Sequence, residues 1–173
     1  MRAGKRGVEV NAFLQSTTNP KVYAAGDAAA SPGWPLTPVA GLEAEVVAAN
    51  LLEGNHVAPD YTGVPTVVFT IPELARVGLL EAEARQQRLD VDVKLTDMSD
   101  WYTIERVGET HAAAKVLIEK GSGRIVGAHL LTPEASELIN IFGLAMRASL
   151  GAAHLKRLVS AYPSAGSDIV YLV

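Results

Sequence analysis

The chain has 173 residues and a mass of 18.3 kDa, enough for one domain of ordinary size with some structure attached. Its 49% hydrophobic and 20% charged residues, with 15 Gly and 9 Pro, exclude a disordered, collagen-like or low-complexity chain, and a net charge of -4 argues against the basic footprint of a nucleic-acid partner. There is no cysteine, which excludes a disulfide framework, a thiolate zinc site, a Cys nucleophile and a dithiol redox centre from these residues.

In chain order, the basic start Met1 to Gly7 is followed by no apolar signal core, and nowhere do about 18 apolar residues run together, so a soluble cytoplasmic protein with no membrane partner is expected. Gly7 to Phe13 alternates weakly, and Val22-Tyr23-Ala24-Ala25 reads as a short buried strand ended by Gly26-Asp27. Ala28 to Pro35 carries Ser31, Pro32, Gly33 and Pro35 and reads as a loop. Thr37 suits an N-cap and Pro38 a first helical position. Val39, Leu42, Val46 and Ala49 then follow at helical spacing until Gly54, which predicts a helix from Thr37 to Glu53.

Asn55 to Val64 shows no sustained period and reads as a linker. Thr66 to Thr70 and Arg76 to Leu79 read as strands around a turn at Pro72, and Glu81 to Arg88 as a short polar helix. Asp90 to Thr96 alternates Val91, Val93 and Leu95 with Asp92 and Lys94, the pattern of a strand with one wet face. Met98 to His111, which holds Trp101 and Tyr102, has no readable pattern. Ala113 to Glu119 and Arg124 to Leu130 are predicted strands joined by the turn Gly121-Ser122-Gly123. Thr132-Pro133 repeats the cap grammar of Thr37-Pro38 and opens a predicted helix to Leu150, stopped by Gly151. Leu138, Ile141, Phe142 and Ala145 form one stripe of this helix, while Ile139, Met146 and Leu150 lie off it. The helix therefore either sits between two layers of its own domain or presents one side to a second subunit.

His56, His111, His129 and His154 show no metal-ligand spacing, so no metal site is predicted. Gly121 to Gly127 has the wrong spacing for a dinucleotide loop and leads into a strand rather than a helix. Thr17 to Ala40 holds more chemistry. A strand ending in Gly26-Asp27 lets the backbone approach a bound group and places a carboxylate to accept hydrogen bonds from sugar-like hydroxyls. The helix opening at Thr37 adds free N–H groups and a positive dipole end.

Thr17 to Asp27 resembles the second flavin-binding motif of the pyridine nucleotide-disulfide oxidoreductases, the family of glutathione reductase, dihydrolipoamide dehydrogenase and mercuric reductase. Leu36-Thr37-Pro38-Val39-Ala40 is similar to the family's segment that brings a helix N-terminus to the flavin ring. Pro65 to Glu83 and Ala113 to Asn140 are similar to its interface domain. The resemblance implies an α+β fold, an antiparallel sheet with helices packed on it, preceded by a strand-loop-helix remnant of an FAD domain. The implied organisation is residues 1–54 from the FAD-binding domain, 55–64 as linker and 65–173 as interface domain. It further implies FAD held with the help of Gly26, Asp27, Leu36, Thr37 and Pro38, NAD(P)H as co-substrate, and a homodimer.

The family's Gly-rich FAD loop, cysteine pair and nicotinamide domain precede the region that matches. The expectation is therefore a C-terminal portion, inactive alone, of an oxidoreductase passing electrons to a disulfide or a metal ion. A stand-alone dimerisation module and a flavin enzyme with a non-disulfide acceptor are the alternatives. Where disulfide-reducing members carry a His-Pro pair and a Glu five positions beyond, this chain has Tyr162-Pro163, then Ser167 and Asp168. The resemblance places Tyr162 and Asp168 at the catalytic positions. A phenol with a pKa of about 10 donates or orients but is a poor base beside an imidazole of about 6.5, so Tyr162 is either a catalytic replacement or a packed residue at the dimer seam.

Overall fold

Helix α1 (Thr37–Glu53) organises the first of two compact units into which the computed structural model, describing residues 1–173, divides: Met1–Tyr61 and Thr62–Val173. Its bounds are those the sequence predicts, but its cap is not. Leu36 occupies the N-cap with extended backbone and no side-chain bond, so Thr37 and Pro38 are the first helical residues, where a missing N–H costs nothing. The buried face is Val39, Glu43, Val46 and Asn50, at spacings of four, three and four, with two polar residues where an apolar stripe is expected. Asn50 accounts for its own burial. Its Nδ2 donates to the carbonyls of Phe13 (3.0 Å) and Val57 (2.8 Å), and its Oδ1 accepts from the N–H groups of His56 and Val57, both at 3.0 Å.

The rest of this unit is loop tied by short pairings. Strands β1 (Ala3–Gly4) and β2 (Gly7–Val8) form a two-stranded hairpin, and single bridges join Val8 to Ala29, Val10 to Ser16 and Gln15 to Tyr23. The predicted strand at residues 22–25 is therefore an extended segment with one bridge. Only Ala24 of those four residues is buried, so the segment lacks the partner strand and burial that a continuous ladder requires.

The second unit is a five-stranded antiparallel sheet in the order β3-β4-β7-β6-β5, formed by β3 (Thr66–Val68), β4 (Glu73–Gly78), β5 (Val91–Asp97), β6 (Ala113–Glu119) and β7 (Ile125–Thr132). The long helix α4 (Ala135–Arg147) lies on β4 and β7. Ala75, Val77, Ala114, Val116, Ala128 and Leu130 from the sheet meet Leu138, Ile139 and Phe142 from α4 in one core. Antiparallel sheet with helices packed on it is the α+β arrangement expected. Short helices α2 (Glu81–Gln86), α3 (Tyr102–Glu105), α5 (Ala152–Leu155) and α6 (Ile169–Leu172) close the ends. The unreadable stretch around Trp101 is anchored by its ring, which meets Tyr171 edge-to-face at 6.1 Å.

Two sequence expectations fail here for long-range reasons. Thr132 does not cap α4; it is the last residue of β7, fully buried and paired with Glu73 in register. That register brings the Glu73 carboxylate to the helix start, where it accepts from Ser136 N at 2.7 Å, so the cap comes from a neighbouring strand. Alternation in β5 also runs opposite to expectation. Leu95 pairs with Lys115, which pairs with His129, which pairs with Arg76, so Val93 and Leu95 lie on the face away from the core. Lys94, on the core side, spends its charge on the carbonyls of Tyr171 and Val173 at 2.8 and 3.2 Å. Helix α4 buries Ile139 as well as Leu138, Phe142 and Ala145, leaving Leu144 exposed. Gly63 and Gly143 pack backbone to backbone: a Cβ at Gly63, whose φ is +67°, would lie 2.4 Å from the Gly143 carbonyl oxygen.

Candidate functional site

The first unit carries a cleft of about 290 Å³ whose wall includes Lys5, Arg6, Asp27, Ser31, Trp34 and Glu43. Gly26, at φ +60°, opens a one-turn 3-10 segment through Ala28, and a Cβ there would meet that of Ala40 at 2.9 Å. Both conformation and space thus require glycine. Asp27 follows it with an exposed carboxylate lining the cleft. Arg6, in the β1–β2 turn, donates from Nη2 to the Ser31 carbonyl at 2.8 Å and so binds the turn to the cleft loop.

Beneath that loop is Glu43, fully buried on α1. Its Oε2 accepts from Gly26 N at 2.6 Å, and its Oε1 accepts from Ser31 Oγ at 2.5 Å and from the Tyr61 hydroxyl at 2.6 Å. Sequence reasoning missed this residue, and the available signal was its spacing with Val39, Val46 and Asn50. Burial, reinforced by the Glu43 carboxylate it bonds and opposed by Ser31, pushes the Tyr61 phenol up to about 12. In the unfolded chain the phenol titrates at its ordinary 10.0, so its contribution is fully present below that pH. Above it the unfolded chain loses its proton first, and stability falls as pH rises towards about 12. Tyr61→Phe should therefore flatten the alkaline slope of first-unit stability relative to wild type, measured by urea unfolding at Trp34 emission over that window.

Leu36 is half-buried and Thr37 and Pro38 are exposed at the head of α1, just past the Trp34-Pro35 end of the cleft wall and outside the wall itself. The first turn of α1 offers N–H groups without intrahelical partners and the positive end of the helix dipole. Taken together, the predicted residues give one carboxylate acceptor, one close backbone approach and one helix N-terminus. To these the structure adds the side chains of Lys5 and Arg6. This donor set fits a group that carries both hydroxyls and anionic oxygens, as a flavin nucleotide does.

The second unit holds the other predicted pair, in different surroundings. Tyr162 is 83% exposed, while Asp168 turns inward to accept from Thr103 Oγ1 in a very short hydrogen bond. Partial burial raises the Asp168 carboxyl above its ordinary value, against the opposing pull of Thr103 and of the Arg106 charge. The loop presenting Tyr162 is braced by serines: Ser164 Oγ donates to the Ala161 carbonyl at 2.6 Å, Ser167 Oγ to that of Ser164 at 2.6 Å, and Ser160 Oγ to that of Gly166 at 3.2 Å. No group of three or more metal-ligating side chains converges anywhere, and no helix is long and apolar enough to cross a membrane.

Residues 64–172 match the family model described as pyridine nucleotide-disulphide oxidoreductase, dimerisation domain. An uncharacterized 19.7 kDa protein in the mercuric resistance operon of Staphylococcus aureus is 50% identical over 169 residues, covering 98% of this chain and 94% of that protein. Mycothione reductase of Mycobacterium tuberculosis is 38% identical over 148 residues, 83% of this chain but only 32% of the reductase. The HOCl-induced flavoprotein disulfide reductase RclA from Escherichia coli superposes with a TM-score of 0.86 at 26% identity, over 99% of this chain and 39% of its own. The chain thus spans nearly all of the Staphylococcus protein and about a third of the two named reductases.

Proposed function

The chain belongs to the pyridine nucleotide-disulphide oxidoreductase family, and from that premise we propose that it is the C-terminal, dimer-forming portion of a cytoplasmic FAD-dependent NAD(P)H oxidoreductase. Residues 1–54 supply a piece of the FAD-binding domain, 55–64 a linker and 65–173 the interface domain. The observation that carries the reading is the cleft built on Gly26, Asp27 and Glu43 in the same chain as a dimerisation domain. When bound, FAD supplies the two-electron relay between nicotinamide and acceptor. Asp27 then accepts hydrogen bonds from ribityl hydroxyls, and Gly26 lets the backbone close on them. The α1 start at Leu36, Thr37 and Pro38 would favour negative charge on a bound flavin.

The acceptor is a disulfide or a metal ion, and the place of the Staphylococcus relative in a mercuric resistance operon favours the metal ion as substrate. Tyr162 lies at the position of the family's proton-shuttling His and donates or orients rather than acting as base. In the longest gene product containing this chain, Tyr162→Phe should lower turnover with the native acceptor and leave flavin reduction by NAD(P)H untouched. Unchanged turnover with every acceptor would return Tyr162 to a packing role. The reading as a whole is tested by the coding sequence upstream of Met1 in the genome, where a Gly-rich FAD loop and a Cys pair separated by four residues are expected.

A second reading has one observation in its favour. The chain covers 94% of the 19.7 kDa Staphylococcus protein, as a stand-alone, non-catalytic dimerisation module of this size would. It requires the upstream elements to be missing, and it requires the 173-residue protein to purify as a dimer without flavin absorbance.

A further inference from the structure

We infer that Glu43 is the positioning residue of the cofactor-facing turn: its bond to Gly26 N fixes the turn that aims Asp27 into the cleft. The inference rests on the flavin reading above and deepens it. A carboxylate is an expensive choice for packing, because burying its charge costs far more than burying the Val side chains of the same helix face. Glu43 is nonetheless fully buried, between Val39 and Val46 on that face. Its three bonded donors are all neutral, one amide and two hydroxyls. They belong to the two ends of the cleft loop and to Tyr61, so a single side chain closes residues 26–31 onto α1.

The loop is drawn in until no room is left. A Cβ at Gly33 would fall 2.8 Å from Glu43 Oε1 and 2.7 Å from Tyr61 Cε1. Oε2 accepts from Gly26 N, and Asp27 is the next residue in the chain. The backbone direction leaving Gly26 therefore depends on that oxygen, while the Ser31 and Tyr61 bonds hold the carboxylate in place. A neutral amide at this position keeps the size of Glu but offers one acceptor to three donors and turns an NH₂ towards one of them.

The test uses the longest gene product containing this chain, in which residues 1–54 would be part of a whole FAD-binding domain, with ¹⁵N amide spectra recorded during titration with FAD. In the wild type FAD should shift the Gly26 and Asp27 amides, and Asp27→Ala should weaken binding. Glu43→Gln should move the Gly26 amide proton upfield, speed its exchange and weaken FAD about tenfold, with far-UV circular dichroism unchanged. Should that variant not fold, Tyr61→Phe, which leaves Oε1 bonded to Ser31 and lies outside the cleft wall, carries the test from the donor side. With the Gly26 bond kept, FAD affinity should stay within about threefold of wild type, and a tenfold loss there would overturn the assignment to the Gly26 turn. Wild-type affinity and an unmoved Gly26 amide in Glu43→Gln, with Asp27→Ala weakened, overturn the role of Glu43 and leave the flavin reading standing. No shift at Gly26 or Asp27 in the wild type overturns both.

Discussion

Phe142→Ala should remove about 3–5 kcal/mol from the stability of the second unit, the largest single-residue loss expected in the chain. Phe142 has no exposed surface and sits mid-helix on α4, in the core shared with Ala75, Val77, Ala128 and Leu130 of the sheet and with Ile139 and Ala145 of its own helix. Several of those neighbours are alanines. Their short side chains on rigid strands cannot move into the space a missing ring leaves, so the cavity persists and adds its own cost to the lost transfer energy. A loss of this size is a large part of the roughly 5–15 kcal/mol that a domain commands. Trp101 belongs to the second unit and Trp34 to the first, and they are the chain's two tryptophans. Urea unfolding in a Trp34→Phe background therefore reads the second unit alone. A midpoint that falls at unchanged slope is the expected result, and a loss below about 1.5 kcal/mol, the size of a volume-conserving swap, would mean that the core collapses around the site.

The parts of this fold that could be read from the sequence are those whose cause is local. Pro38 and Gly54 bracket α1, and its bounds are as expected. Gly121 to Gly123 turns β6 into β7 because only nearby residues are involved. Where the cause lies far away in sequence, reading along the chain fails. Thr132-Pro133 looks like a helix start, but the sheet claims Thr132, and Glu73, distant in sequence, supplies the cap. The alternation of Val91, Val93 and Leu95 looks like an inward face, yet β5 lies at the sheet edge, beyond the strands that α4 covers. Glu43 shares the buried spacing of Val39, Val46 and Asn50 and is passed over for a different reason. A carboxylate is assigned to solvent by any rule of composition, and only the three donors brought to it by the loop make its burial affordable. Gly26 and Asp27 stood out through family resemblance, because a Gly-Asp turn after an extended segment is common and its cleft partners Lys5 and Arg6 come from a separate hairpin.

The homodimer proposed for this chain should be broken by charge on the β3–β4 hairpin. Val68, Phe69, Ile71 and Leu74 are 57%, 79%, 97% and 47% exposed and follow one another through a single turn, so they form a contiguous apolar patch. Val93 and Leu95 add to the exposed apolar surface on the same side of the sheet as Val68 and Leu74. Isolated exposed apolar residues are ordinary, but a clustered set on a domain of this family calls for a covering surface, and a symmetric dimer supplies one from the same sequence. Phe69→Asp with Ile71→Asp changes only side chains that already face water, so the fold of the monomer should be kept. In the associated state the two carboxylates would be desolvated with no partner for their charge. Each such burial costs enough to raise the dissociation constant by about a hundredfold for the pair. Sedimentation velocity at micromolar concentration should show wild type as a dimer and the double variant as a monomer with unchanged circular dichroism. A variant that remains dimeric would move the interface off this hairpin. The exposed Leu144 of α4 would then be the next position to charge, since that helix offers the other apolar surface that the core leaves uncovered.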